Sequence, residues 1–427
     1  MFQQHNIVTA IEIGTSKICV LIGEISSDKK LVVIGFGESS SNNSVIKGEI
    51  IDMDTAREQL SKAVSQADNS SNRMMNDSSV IAISITGTSI FSCQETGTVF
   101  INNDEHRIDD KLIATAIKNA QLNNIPHGRQ LINSSDSYFE LDGHRRVRNP
   151  IDMSAHKLEV CIHTVQCETS QVDNFYSLLH DVGIDDEPVT VFSGIASAYG
   201  VLTEQEKESG VLLLDMGAGT CEYIVIFNMG ILASGVLPIG FEHLANDLSL
   251  GLDLPISDCR KLLEDETLAK YIQQAKEFIE IKTSPRGMRK IPLRSFEKII
   301  DLRLRETFQI IHEKLITQNV LQTLNSGAVL TGGGALFPHT SALFSEVFRL
   351  PVRIGKPFAT NKTINSTGIE TPRYSTLWGI LKFAEELNQI TNSKRKNNIA
   401  RKALDMADSA ATSFLGSISN IFRSLKF

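Results

Sequence analysis

Ile7-Val8-Thr9-Ala10-Ile11-Glu12-Ile13-Gly14-Thr15-Ser16-Lys17 is a largely β-branched apolar run that ends in an acid and a glycine turn. Such a run reads as a strand feeding a tight reversal. Backbone N–H groups of the turn can converge on an anion, while the carboxylate faces a metal ion or water. Val211-Leu212-Leu213-Leu214-Asp215-Met216-Gly217-Ala218-Gly219-Thr220 repeats the device in the second half of the chain. One such loop is weak evidence. Two of them, each at the start of half the chain, predict facing lobes that clamp a nucleotide's phosphates. The phosphate-site candidates are Glu12, Gly14, Thr15, Ser16 and Lys17, with Asp215, Gly217, Ala218, Gly219 and Thr220 opposite. Glu12 and Asp215 are the candidates to hold a metal ion through water.

A third strand-to-glycine turn follows at Ala328-Val329-Leu330-Thr331-Gly332-Gly333-Gly334-Ala335. Glycines here remove side chains, so backbone can lie against a flat ligand such as an adenine. A glycine triplet has many structural uses; its place in order behind the two loops gives Gly332, Gly333 and Gly334 this reading.

The 427 residues are enough for two to four structural units. An apolar fraction of 41% and a charged fraction of 22% describe a soluble globular protein. With a net charge of −8, nucleic acid is not an expected partner. No stretch reaches the ~18 consecutive apolar residues of a membrane span, and no signal peptide is apparent at the N-terminus. The six cysteines (Cys19, Cys93, Cys161, Cys167, Cys221 and Cys259) form no C-x-x-C pair and no zinc pattern. They read as reduced, buried small hydrophobes, which suits a cytoplasmic protein.

Along the chain, residues 1–86 alternate strand and helix. Residues 87–162 shift to short strands with one helix over Asp109–Asn123, and read as an inserted subdomain. Its Arg145-Arg146-Val147-Arg148 cluster is either a solvated loop or a protein contact face. Small residues in Ser193-Gly194-Ile195-Ala196-Ser197-Ala198-Tyr199 suit either a close backbone approach at a hinge or ordinary helix packing. From Phe241 onward the texture is helical and charged, with helices expected over Asp265–Ile281 and Arg294–Gln318. Another helix opens near Pro372. Residues 389–408 are polar and basic and read as a linker.

The last residues carry an amphipathic pattern. Phe414, Leu415, Ile418, Ile421, Phe422 and Leu425 share one helical face, while Arg423 and Lys426 stand on the other. Too short to span, this helix suits the interface of an anionic membrane, helped by the basic residues 394–402. The alternative is a helix docked on the protein's own core. One such helix binds weakly, whereas many copies on a polymer bind with high avidity.

The order of phosphate loop, inserted subdomain, hinge helix, second phosphate loop, helical insert, glycine turn and second hinge helix resembles the actin-like ATPase superfamily. Within it the chain is similar to the FtsA family of bacterial cell-division proteins over essentially its full length. The resemblance rests on Glu12–Lys17, Arg148-Asn149-Pro150, Gly194–Tyr199, Leu202-Thr203-Glu204, Val329–Gly333, Tyr374-Ser375-Thr376 and the tail. It implies an α/β, actin-like two-lobed fold. Residues 1–86 with 163–198 would form the first lobe, and 199–243 with 322–388 the second. Residues 87–162 would be the family's inserted subdomain and 244–321 a helical insert, with a linker over 389–408 and a membrane-targeting helix over 409–427.

The same resemblance implies ATP with Mg2+, and at most weak ATPase activity with no catalytic residue identified. It implies polymerisation on the cytoplasmic face of the membrane at the division site, tethering of the tubulin-like FtsZ, and recruitment of later division proteins. The FtsZ C-terminal peptide would meet Arg303, with Arg294 and Lys298 nearby. Departures from the family pattern are Ala218 in place of a glycine, Glu222 in place of Asp, and Arg260 and Leu263 where a Glu and a Lys usually meet the nucleoside. The methyl of Ala218 is expected to restrict φ or crowd a phosphate. The competing readings are a PilM-like pilus-assembly adaptor and an actin-fold small-molecule kinase. A kinase needs a general base beside a substrate pocket, and no sugar-specific constellation is present. The tail argues against both.

Overall fold

The structure, a computed structural model, describes residues 6–404 apart from 72–73, 103–106, 123–124, 185–187, 265–266, 275, 284–286 and 359–367. The tail residues assigned to a membrane surface lie outside the described residues. The chain begins with strands β1 (Ile7–Ile13), β2 (Lys17–Ile25) and β3 (Leu31–Ser40), the short pair β4 (Val45–Ile46) and β5 (Glu49–Ile50), and a helix Met53–Ser71. Strands β6 (Val80–Ile85) and β7 (Phe91–Phe100), a helix Asp110–Leu122, and β8 (Arg129–Leu141), β9 (Arg145–Val147) and β10 (Lys157–Glu168) follow. After a helix Thr169–Asp181 come β11 (Val189–Phe192), a helix Ser193–Val201, β12 (Val211–Met216), β13 (Cys221–Phe227) and β14 (Gly230–Leu237). Helices Phe241–Leu252, Ile256–Glu264 and Thr267–Gln273 lead to the hairpin β15 (Phe278–Thr283) and β16 (Gly287–Pro292). A helix Leu293–Thr317, β17 (Ala328–Thr331), a helix Thr340–Phe348, β18 (Val352–Ile354) and a final helix Ser375–Leu404 complete the order.

The two large sheets are copies in topology. The first runs β11-β6-β1-β2-β3 and the second β18-β17-β12-β13-β14. In each, an antiparallel hairpin (β1–β2, β12–β13) lies beside a parallel neighbour (β6, β17). Strands in the middle of a sheet that is covered on both faces should be apolar throughout, whereas an edge strand alternates. Every residue of β12 is buried, and β1 is buried at all positions but Glu12. The edge strand β3 alternates buried and half-buried over most of its length.

Between the sheets cross the helices Ser193–Val201 and Ser375–Leu404. The small residues do provide a close approach. A β-carbon on Gly379 would overlap the Ala196 carbonyl oxygen, and one on Gly200 would overlap that of Ser375. Trp378, Leu377, Leu381 and Phe383 on the long helix and Ile195 and Val201 on the shorter one belong to a single buried cluster with both sheets. Residues 87–166 form a separate four-stranded sheet, β7-β10-β8-β9, with its own core around Ile113, Phe139 and Leu158.

Two expectations change. Over Asp265–Ile281 the described helix covers only Thr267–Gln273, and Phe278–Thr283 is a strand. Its period is two: Ile279 and Ile281 are buried while Phe278 is 40% exposed, and it pairs with β16. The segment read as a linker over 389–408 is helical as far as Leu404, because the last helix continues through it. Nothing in 389–404 is Gly or Pro, and a helix already nucleated on the core needs no new nucleus to extend through it.

Candidate functional site

The two glycine loops face one cleft. Each reverses an antiparallel hairpin, with Ile13 opposite Ile18 in the first and Met216 opposite Cys221 in the second. Each is closed by the same bond: Gly14 N–H donates to the Lys17 carbonyl at 2.9 Å, and Gly217 N–H to the Thr220 carbonyl at 2.9 Å. Gly219 is where the lobes touch, since a β-carbon there would press on Thr15 and stand 3.0 Å from the Lys47 backbone. Together the loops, Gly332–Gly334 and the strand-end residue Thr86 line a cleft of about 720 Å³.

The charges differ between the two sides. Lys17 Nζ bonds Glu12 Oε2 at 2.9 Å, with side-chain exposures of 7% and 16%. Burial works to lower the Lys17 ammonium, but its neighbours Cys19, Glu12 and Glu38 raise it above its ordinary value. Glu12 is therefore matched by a cation of its own loop. Asp215 is buried and accepts instead from two hydroxyls, Ser197 Oγ and Thr376 Oγ1, the latter at 2.8 Å. Burial pushes its carboxyl up, against those two bonds. Glu222, directly opposite Asp215 in the ladder, accepts from Thr220 Oγ1 at 2.7 Å and from Thr86 Oγ1 across the cleft. Burial and the neighbouring Asp215 push Glu222 up to about 7.

Gly332 takes φ 81°, and a β-carbon there would overlap Asp215 Oδ1. Its glycine is thus required by the protein's own packing. Gly333 alone of the triplet has open space before it. Beside the triplet, Phe241 and Phe337 lie with ring centroids 6.1 Å apart. Arg260 and Leu263 both line this end of the cleft, and Arg260 Nε bonds Glu242 Oε2 at 2.8 Å. Ala218 takes no positive φ, so its methyl does not strain the turn.

The motif Tyr374-Ser375-Thr376 fastens three strands to the start of the last helix. Tyr374 OH donates to Glu38 of β3 at 2.7 Å, Ser375 Oγ meets Thr331 Oγ1 of β17 at 2.6 Å, and Thr376 reaches Asp215 of β12. Arg373 also bonds Glu38, at 2.8 Å. Sequence reasoning gave no role to Thr86, Glu38, Arg373 or Glu242. Thr86-Gly87 at the end of a parallel strand was the available signal, because ligands gather at the carboxyl ends of such strands.

Arg303 stands apart from the cleft and is already matched. Its guanidinium forks onto Asp247 at 2.5 and 2.9 Å and bonds Glu306 at 2.6 Å. Arg294 and Lys298, on the same helix, are exposed. Among the described residues no group of three or more His, Cys, Asp or Glu side chains could cage a metal, and no helix is long and apolar enough to cross a membrane.

Two family models match: cell division protein FtsA over residues 212–379, and the SHS2 domain inserted in FtsA over residues 87–166. The cell division protein FtsA of Borreliella burgdorferi is 30% identical over 410 residues, covering 93% of this chain and 97% of that protein. The chain belongs to the FtsA family of cell-division proteins. The FtsA of Escherichia coli is 26% identical over 398 residues, covering 90% of this chain and 91% of its own. Two solved structures share the actin-like fold. A PilM–PilN type IV pilus biogenesis complex matches with a TM-score of 0.60 at 12% identity, covering 88% of this chain and 98% of that one. MreB5 of Spiroplasma citri bound to ADP matches with 0.53 at 12% identity, covering 91% and 99%. At this identity both report the fold alone, which the FtsA family fills with its SHS2 insertion.

Proposed function

We propose that this FtsA-family chain binds ATP with Mg2+ between its lobes and polymerises on the cytoplasmic face of the membrane at the division site. There it tethers FtsZ filaments and brings in later division proteins. The observation that carries this reading is the pair of identically closed glycine loops facing one cleft. Lys17 and the N–H groups of both turns meet the phosphates, and the base lies by Gly333, Leu263 and the Phe241–Phe337 pair. Asp215 and Glu222 are buried and bonded to hydroxyls rather than cations, which fits a hydrated Mg2+ held mainly by phosphate and water. When bound, Mg2+ offsets the phosphate charge that would otherwise face these two acids.

The FtsZ peptide docks on the helix Leu293–Thr317. Exposed Arg294 and Lys298 meet its acidic groups, while Arg303 holds that helix to Asp247. The amphipathic face of Phe414–Leu425 anchors the polymer, consistent with the basic residues that precede it. Sedimentation with anionic liposomes in ATP tests the reading: the full chain should pellet with the lipid, and a chain lacking residues 409–427 should stay in solution. Equal pelleting of the two would sink the anchor. Failure of the full chain to bind ATP in a direct titration would sink the clamp.

A further inference from the structure

The two hinge helices meet on one carboxylate oxygen. Ser197, in the helix Ser193–Val201, and Thr376, in the first turn of Ser375–Leu404, both donate to Asp215 Oδ2. The hydroxyl oxygens are 2.9 Å from each other. A hydroxyl has one proton to give. With both protons aimed at Oδ2, the contact between the hydroxyls follows from sharing an acceptor. Ser197 is wholly buried and Asp215 nearly so, which shields the Ser197 bond from water, while half-buried Thr376 stands at the cleft side. The other oxygen, Oδ1, rests against Gly332, so the carboxylate is held on both sides. Below it, Gly200 and Gly379 bring the same two helices into backbone contact, so a change in their crossing must be felt at Ser197 and Thr376. The polar triangle lies at the end of β12 where Asp215 also lines the cleft.

We propose that Ser197 and Thr376 are positioning residues for Asp215, fixing the carboxylate that faces the bound cation to the crossing of the hinge helices. Mg2+-dependent nucleotide binding and hinge geometry are then set by the same three side chains. This rests on the nucleotide reading above. Groups that orient a carboxylate beside a metal commonly affect metal-dependent binding by about 10–100-fold.

The test compares ADP affinity in Mg2+ and in EDTA for the full chain and its Thr376→Val, Thr376→Ser, Ser197→Ala, Asp215→Asn and Asp215→Asn/Thr376→Val variants. Thr376→Val and Ser197→Ala should each reduce the gain that Mg2+ gives by about tenfold, with Thr376→Ser close to the parent. In the Asp215→Asn background Thr376→Val should change nothing further. Equal losses with and without Mg2+, or the same loss in both backgrounds, would overturn the proposal. A parent chain that binds no nucleotide would overturn the nucleotide reading instead. The positioning role is then judged on the nucleotide-free protein by amide exchange in Ser193–Val201. Thr376→Val should speed exchange there and Thr376→Ser, which keeps the hydroxyl, should not; unchanged exchange in Thr376→Val, or equal acceleration by both, would overturn it.

Discussion

At the first loop the strand-end acid Glu12 is answered by Lys17 of its own hairpin, while at the second Asp215 is answered by Ser197 and Thr376 from the hinge helices. Strand order, hairpin register and the loop-closing bond are shared. Duplicated backbone therefore places turn N–H groups alike on the two sides, and the side chains decide what each side does with them. The first loop brings a cation whose charge is half spent on its neighbour. The second keeps two buried acids without a cation, and so invites one to arrive with the ligand.

Removing the cation is the harshest way to break this contrast. Lys17→Ala leaves Glu12 as an uncompensated, largely buried charge, and losing one partner of such a pair costs about 3–5 kcal/mol. ATP affinity, read by titration, should fall by at least about a hundredfold, and the thermal midpoint should drop. Affinity within a few-fold of the parent would mean that the first loop contributes backbone only.

The second loop is sharpened by pH. Glu222 sits above its ordinary value of 4.5, at about 7, because of burial and then Asp215. The folded chain therefore holds a proton that the unfolded chain has lost between those values. That stabilisation is complete below about pH 4.5 and fades as pH rises through about 7. Thermal midpoints at pH 5 and pH 8 should fall more steeply for the parent than for Glu222→Gln, which has nothing to ionise. Parallel slopes would place the proton elsewhere.

The two loops themselves were readable in the sequence, because each is local. A β-branched run, an acid and a glycine within a few residues define a hairpin wherever they occur, and both loops lie where that pattern puts them. What escaped was non-local or weakly periodic. Thr86 reaches Glu222 from the other lobe, and Asp247 finds Arg303 across 56 residues; neither pairing leaves a mark in sequence spacing. The hairpin over Phe278–Pro292 was hidden in a charged segment where Ile279, Ile281 and Ile291 alone turn fully inward. The helix runs on to Leu404 through a polar stretch whose composition carries no apolar period to mark it. The Arg145–Val147 cluster proved to be a strand on the edge of the inserted sheet, with Arg146 stacked over Tyr138 at 4.2 Å.

The smallest effect tests the one methyl group that sets the two turns apart. Ala218 stands inside the second glycine turn, yet its backbone takes no positive φ and glycine would relieve nothing. The positions that a methyl would crowd are its neighbours, Gly217 against the Thr220 carbonyl and Gly219 against Thr15 and Lys47 of the opposite lobe. Ala218→Gly should leave ATP affinity within about twofold and lower stability by about 0.4–1 kcal/mol through the freer unfolded chain. The two readouts point to different causes. A gain of tenfold or more in ATP affinity would mean that the methyl crowds a phosphate in the loaded cleft. A loss of stability alone would leave the loops alike in backbone and different only in charge, with the alanine serving to stiffen the turn before Gly219.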